Sequence, residues 1–121
     1  MEKQCRITGL FSYAIKGCRA TPSRKLGISP FGVKGDRGLL VLQGDRPSNQ
    51  VRLPSLTRVK ARCPRPGTLE IETDRGSHAL AIVREGPRQD IDYYGNRVSV
   101  TDQGDATSLF LSEALETEVR L

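Results

Sequence analysis

Thr57-Arg58-Val59-Lys60-Ala61-Arg62-Cys63, then Pro64-Arg65-Pro66-Gly67, then Leu69-Glu70-Ile71-Glu72 is the stretch whose pattern sets the fold class. Val59, Ala61 and Cys63 alternate with Arg58, Lys60 and Arg62, and Leu69 and Ile71 alternate with Glu70 and Glu72. A period of two places each set on one side of an extended chain. The proline and glycine between the two runs supply the reversal. The stretch therefore predicts a hairpin with one apolar and one charged face. The charged residues differ in sign between the strands, so Lys60 or Arg62 is expected to pair with Glu70 or Glu72. That expectation weakens a competing reading of Arg58, Lys60 and Arg62 as a nucleic-acid stripe, because the hairpin supplies its own counter-charges.

Working outward, strand signals dominate. Toward the N-terminus, Leu39 to Leu42 is a short apolar run ending at Gly44-Asp45, and Ile7–Tyr13 and Arg24–Ile28 are further candidates. Toward the C-terminus, Ala79–Val83, Gln89–Tyr93 and Arg97–Thr101 read as strands, with Val98 and Val100 on one face and a tight turn at Tyr94-Gly95-Asn96. One helix is expected late in the chain. Asp102 reads as its N-cap, Asp105 lies near the positive end of its dipole, and Ala106, Leu109, Phe110, Ala114 and Leu115 recur at helical spacing. Glu118-Val119-Arg120-Leu121 reads as one last short strand. The expected fold is mainly β: a small closed or nearly closed barrel of about eight strands with one C-terminal helix.

The chain has 121 residues, 36% hydrophobic and 27% charged, which fits one globular domain over residues 1–121. No apolar run approaches the ~20 residues a membrane span needs, and the N-terminus lacks the apolar block of a secretory signal. A cytoplasmic location is expected. Cys5, Cys18 and Cys63 are odd in number, and no two have metal-site or redox spacing; with His78 as the one histidine, a metal site is not expected. Residues 1–40 carry eight Lys/Arg against Glu2 and Asp36, a net of +6, whereas residues 81–121 carry four Arg against eight acids, a net of −4. The first third is the end an anionic ligand would meet.

Two glycine-containing segments could carry chemistry. In Tyr13-Ala14-Ile15-Lys16-Gly17-Cys18-Arg19-Ala20, a lysine at a strand end precedes a glycine that lets a ligand approach the backbone; ammonium and amide together can hold a phosphate. The plainer reading is a solvated lysine before a turn. Phe31-Gly32-Val33-Lys34-Gly35-Asp36-Arg37-Gly38 matches neither phosphate-loop nor dinucleotide fingerprints. Asp36 and Arg37 would face opposite sides of a strand, one pinning the loop and the other meeting a ligand; the plainer reading is a turn with a surface ion pair. Asp90, Asp92, Asp102 and Asp105 are better explained by a polar strand face and helix capping than by acid–base or Mg²⁺ chemistry. His78 lacks any neighbouring nucleophile motif.

Taken in order, these segments resemble the N-terminal β-barrel domain that precedes the MOSC domain in molybdenum cofactor sulfurases and amidoxime-reducing components. Tyr13 to Ala20 resembles the family's Tyr-Pro-(Ile/Val)-Lys-Ser-Cys-(Arg/Lys)-Gly signature. Gly32 to Arg37 resembles Gly-Leu-x-x-Asp-Arg. Asn49-Gln50 before Pro54-Ser55-Leu56 resembles Thr-Gln-Arg-x-x-Pro-x-Leu. Asp102-Gln103-Gly104-Asp105 through Leu121 resembles the family's closing helix and strand. The resemblance implies that Lys16, Gly17 and Arg37 contact a molybdenum cofactor (molybdopterin). The chain departs from the pattern at Ala14, Gly17, Gly38-Leu39, Val51 and Tyr94, where the family has proline, serine, an aromatic pair, arginine and tryptophan. The catalytic cysteine of such proteins lies in the MOSC half, so Cys18 is not given that role and no catalytic residue is assigned here.

The expectation is thus a stand-alone barrel that binds a molybdenum-pterin cofactor or substrate beside a separate MOSC-domain protein. The alternative is a protein-interaction or dimerisation barrel without ligand chemistry. Nucleic-acid binding is disfavoured, because the six aromatic residues are not interleaved with basic ones.

Overall fold

A computed structural model describes residues 3–121. The chain is mainly β with one C-terminal helix. In chain order, β1 (Leu10–Ser12) pairs with β2 (Thr21–Ser23), β3 (Ile28–Ser29) with β4 (Gly32–Val33), and β5 (Leu42–Gln43) with β6 (Arg46–Pro47). Three strands follow as one sheet, β7 (Lys60–Arg62), β8 (Thr68–Thr73) and β9 (Gly76–Ala81). The hairpin of β10 (Arg88–Tyr93) and β11 (Asn96–Thr101) then leads to α1 (Asp105–Leu115). Every strand pairing is antiparallel. No helix among the described residues is long and apolar enough to cross a membrane.

The opening hairpin is present with the expected faces. Lys60 stands opposite Glu72 and Arg62 opposite Glu70, while Ala61, Leu69 and Ile71 are buried. Arg62 closes on Glu70 at 2.6 Å; Lys60 and Glu72 are in register without an ion pair. The strand starts later than its alternation suggests. Pro54 opens a 3₁₀ turn over Pro54–Arg58, and the Thr57 hydroxyl donates to the Pro54 carbonyl at 2.8 Å, which takes Thr57 and Arg58 out of the strand.

Other boundaries move for local reasons. Ile7–Tyr13 contributes only β1. Arg24–Ile28 is not one strand, because the Ser23 hydroxyl accepts from the Lys25 amide and donates to the Lys25 carbonyl, turning the chain. The expected Ala79–Val83 strand is β9, which starts at Gly76 because the turn after Thr73 is closed by the Thr73–Gly76 pair. Helix α1 begins with Gly104 as N-cap instead of Asp102; the Asp102 carboxylate accepts from the Gly104 amide at 2.9 Å, ahead of the first helical turn. Its inner face is Thr107, Ser108, Leu111 and Leu115, and Leu109, expected inside, is 62% exposed. The last strand reduces to an antiparallel bridge between Leu42 and Arg120.

The strands number eleven in five sheets, and among the described residues no sheet closes on itself. Isolated bridges join the pieces: Ile15 with Leu39, Arg19 with Lys60, and Leu42 with Arg120. Beneath them lies one apolar cluster including Ile15, Val41, Leu56, Val59, Leu69, Ile71 and Leu111. This core fixes the loops that carry the candidate site.

Candidate functional site

Three loops meet around Lys16. Its own segment is anchored on both sides. Ala14 and Ile15 are buried, the Lys16 amide donates to the Leu39 carbonyl at 2.9 Å, and the Cys18 amide donates back to Ile15 at 3.2 Å. The chain thus turns tightly and lifts the lysine side chain out of the core. The Lys16 ammonium reaches the Tyr94 hydroxyl at 3.1 Å and lies over both the Tyr93 and Tyr94 rings, 4.6 and 4.7 Å from their centroids. The two rings meet edge to face at 4.8 Å. Partial burial pulls the Lys16 ammonium toward deprotonation, but the contacts with Tyr94 and Tyr93 outweigh it and hold its pKa above the usual lysine value. Among the described residues no carboxylate lies within ion-pair distance of Lys16.

Tyr94 is presented by the β10–β11 turn. Tyr94 and Gly95 both have positive φ, 51° and 85°, the geometry a two-residue hairpin turn requires. The Asp92 carboxylate accepts from the Gly95 amide at 2.8 Å and fixes that turn. Asp90 pairs with Arg97 across the same hairpin at 3.5 Å. Both acids are therefore structural, as the strand-face reading has it. Lys16, first by hydrogen bonding and then by charge, lowers the Tyr94 phenol pKa, with Asn49 and Arg52 adding to the effect.

The third loop arrives through Gln50, whose amide donates to the Gly17 carbonyl at 2.9 Å. Asn49 shapes this loop by accepting from the amides of Val51 and Arg52 at 3.0 and 2.9 Å. A cavity of about 300 Å³ lies between Asn49, Arg52, Arg46, Asp45, Asp92 and Tyr94. Gly17 has φ +84°, and a Cβ there would meet Leu56 Cδ1 at 3.2 Å and Gln50 Cγ at 4.0 Å. The glycine is thus explained by its left-handed backbone and by packing over Leu56. Its amide donates to no acceptor among the described residues.

Arg37 sits in a turn, not a strand, with φ +50°. Both members of the Asp36–Arg37 pair engage Tyr13. The Asp36 carboxylate accepts from the Tyr13 amide at 2.7 Å, the Arg37 amide donates to the Tyr13 carbonyl, and the Arg37 guanidinium covers the Tyr13 ring at 4.8 Å. Asp36 pins the loop. Arg37 keeps a loose 3.5 Å contact with Asp36, and its side chain is 58% exposed. The segments carrying Lys16 and Arg37 lie side by side: the Arg37 amide meets Tyr13, and the Lys16 amide meets Leu39 two residues further on.

The structure thus brings Lys16 and Gly17 together with Gln50 and the Tyr93–Tyr94 tip, and holds Arg37 on the adjoining segment beside Tyr13. Tyr93 was invisible as a site residue in the sequence, because its contact with Lys16 spans most of the chain; the turn signal at Tyr94-Gly95-Asn96 was the one clue. Cys18 is buried, and burial pushes its thiol up to about 12, which disfavours the thiolate. His78 is a packing residue: its Nε2 lies 3.0 Å from the Thr107 hydroxyl and its ring stacks on Phe110 at 5.2 Å. Among the described residues no three His, Cys, Asp or Glu side chains converge as metal ligands.

The profile of the MOSC N-terminal beta barrel domain family matches residues 4–118. No curated protein matches the chain. Among solved structures, the chain is similar to the solution structure of a structural-genomics target protein from Bordetella bronchiseptica, with a TM-score of 0.57 and 18% identity over 81% of this chain and 86% of that one. That likeness is one of fold.

Proposed function

This chain belongs to the MOSC N-terminal beta barrel domain family, and from that premise we propose that it is an accessory module binding an anionic pterin-type ligand, a molybdenum-pterin cofactor or a substrate of that class, through Lys16, Gly17 and Arg37. Residues 1–121 act as one such module in the cytoplasm, working with a MOSC domain that supplies the catalytic cysteine. We read the bridges at Ile15–Leu39, Arg19–Lys60 and Leu42–Arg120 as the seams of the family's barrel.

The observation that carries this reading is an ammonium without a carboxylate. Lys16 is oriented by two tyrosine rings and one hydroxyl with no carboxylate on it among the described residues, so its charge is left for an incoming anion. The donor set fits a phosphorylated pterin: one ammonium, one exposed guanidinium at Arg37, one unused amide at Gly17, and aromatic surface at Tyr94, which is 71% exposed. Among the described residues no three His, Cys, Asp or Glu side chains converge, so these groups would meet the organic, anionic part of such a ligand. A molybdenum–pterin group bound here would bring the metal's redox chemistry. Lys16, Arg37 and the Gly17 amide would hold its anionic tail, and the tyrosine tip would cover one side.

Calorimetric titration with molybdopterin cofactor, and with inorganic pyrophosphate as a stable anion, tests the assignment. Lys16→Ala and Arg37→Ala should each weaken binding by about tenfold, the ~1.4 kcal/mol expected of one charge-assisted contact, with unfolding midpoints near that of the parent. Parent-like binding by both variants would overturn it.

A further inference from the structure

We infer that β9 is a dimerisation edge, along which a second copy of this chain pairs antiparallel with Ala79 on the two-fold axis. The inference is independent of the anion site and starts from hydrogen-bond accounting. The Ile82 amide donates to the Gly67 carbonyl at 2.8 Å, one step beyond the Thr68–Ala81 pair. Hydrogen-bonded pairs alternate in an antiparallel ladder, so Leu80, His78 and Gly76 turn their backbone groups toward β8. Ser77, Ala79 and Ala81 turn theirs away from it.

Val83 continues that outward row, and there the protein satisfies it. The Val83 amide donates to Gln103 Oε1 at 2.7 Å, and Gln103 Nε2 donates to the Val83 carbonyl at 2.9 Å. A side-chain amide thus stands in for the strand that would lie alongside. Ser77, Ala79 and Ala81 have no such partner. β9 is the outer strand of its sheet, these three residues are exposed, and no hydrogen bond among the described residues reaches their outward groups.

Edge strands are normally blunted by charge, proline, bulges or brevity. β1 is short, and β11 carries Arg97. β9 is six residues long, Gly-Ser-His-Ala-Leu-Ala, without Lys, Arg, Asp, Glu or proline. The side chains beside the outward groups are a hydroxymethyl and two methyls, so nothing bulky bars a neighbouring strand.

The occupant is a second copy because one register suits both chains at once. Hydrogen-bonded pairs must join outward residues, and using all three on each chain sets Ala79 against Ala79 of the second copy and Ser77 against its Ala81. The three pairs end where Gln103 fills the place beside Val83; beyond them the Asp74-Arg75 turn of each chain faces the segment of the other that leaves β9 at Arg84, an acid toward a base. Neither Asp74 nor Arg84 forms an ion pair among the described residues. The two-fold axis then stands perpendicular to the joined sheet, so both α1 helices lie on one face. α1 packs on β9 through Thr107 and Phe110 against His78, and its Leu109 is left 62% exposed.

Sedimentation equilibrium on the full chain should give twice the monomer mass, falling to monomer for Ala79→Pro. That substitution removes one outward N–H and leaves the β8 ladder untouched; far-UV circular dichroism checks that it folds. Crosslinking is the second measurement, made in a Cys5→Ser, Cys63→Ser background. Paired Ala79 Cα atoms would stand about 5.5 Å apart, within disulfide reach. Under mild oxidation Ala79→Cys should give a covalent dimer and Ser77→Cys alone should not, whereas mixed Ser77→Cys and Ala81→Cys chains should crosslink. A monomer at every concentration, an undiminished dimer for Ala79→Pro, or failure of Ala79→Cys to crosslink each overturns the inference.

Discussion

Lys16 and Tyr94 shift each other's titration. The ammonium 3.1 Å from the phenol lowers the Tyr94 pKa, while, against the desolvation of its partial burial, the hydroxyls of Tyr94 and Tyr93 raise that of Lys16. Removing the charge therefore has a visible consequence on the tyrosine. In Lys16→Met, which keeps the length and loses the ammonium, Tyr94 should titrate upward, back toward the ordinary ~10 of tyrosine. Ultraviolet difference titration of the phenolate band reads this, with Tyr94→Phe identifying which of the tyrosines has moved. An unchanged Tyr94 titration would mean that the ammonium does not sit on the phenol in solution, and the cage would lose its main contact. The same pair shows how far single residues were legible. Lys16 stood out in the sequence by its place at a strand end before glycine. Tyr93 did not, since nothing local in Asp92-Tyr93-Tyr94-Gly95 says what its ring will face.

At the scale of elements, alternation and turn chemistry carried the reading, and side chain–backbone bonds marked its limits. The β7–β8 hairpin was legible because both strands alternate and their charges oppose; Thr57 and Ser23 ended strands early through hydroxyl bonds that no periodicity records. The helix start is the clearest example. Asp102 reads as a cap, but its carboxylate is committed elsewhere: Arg120 Nε and Nη2 donate to its two oxygens at 2.6 and 2.7 Å, and Arg120 also reaches Asp105 at 2.8 Å. Arg120 in turn pairs its backbone with Leu42 at both N–H and C=O. Asp102 therefore ties the helix entrance to the terminal segment and thence to β5. Arg120, by hydrogen bonding ahead of the opposing desolvation, depresses the Asp102 carboxyl pKa. A depressed folded-state pKa means stability present above the unfolded value of ~3.9 and lost as pH falls through the lower folded value. Asp102→Asn should cost about 1–2 kcal/mol near neutral pH, a figure restrained by the partial exposure of Arg120. Urea unfolding near neutrality and at successively lower pH measures it. The two proteins should differ fully near neutrality, and the gap should narrow as pH falls below the unfolded value toward the depressed folded one.

Over the whole molecule, the sequence predicted a charge division, and the structure shows how it is kept. The cations of residues 1–40 form one ion pair among the described residues, the loose Arg37–Asp36 contact, whereas acids of the C-terminal third are taken up by Arg75, Arg97 and Arg120. Arg75 lies outside that third, so the acidic end draws in a cation while the basic end keeps its own exposed. The expected barrel is present only as its mainly β composition: among the described residues no sheet closes on itself, and distant segments such as Ile15–Leu39 and Leu42–Arg120 meet through single bridges, with no repeating pattern behind them. The unneutralised cations give the anion site a long-range field that contact residues alone would not. A cation ~15 Å from a dianion contributes about 0.5 kcal/mol in water before screening. Arg24, Lys25 and Lys34 lie outside the Lys16 cage, so replacing all three by Gln should reduce pyrophosphate affinity about three- to fivefold in ~20 mM salt and less than twofold in ~0.3 M, where the Debye length falls to about 6 Å. Lys16→Ala should reduce it at both, because a contact of a few ångströms is poorly screened. Titrations of the three proteins across this salt range separate the field from the contact, and a triple variant that loses as much in high salt as in low would place those side chains in the site itself.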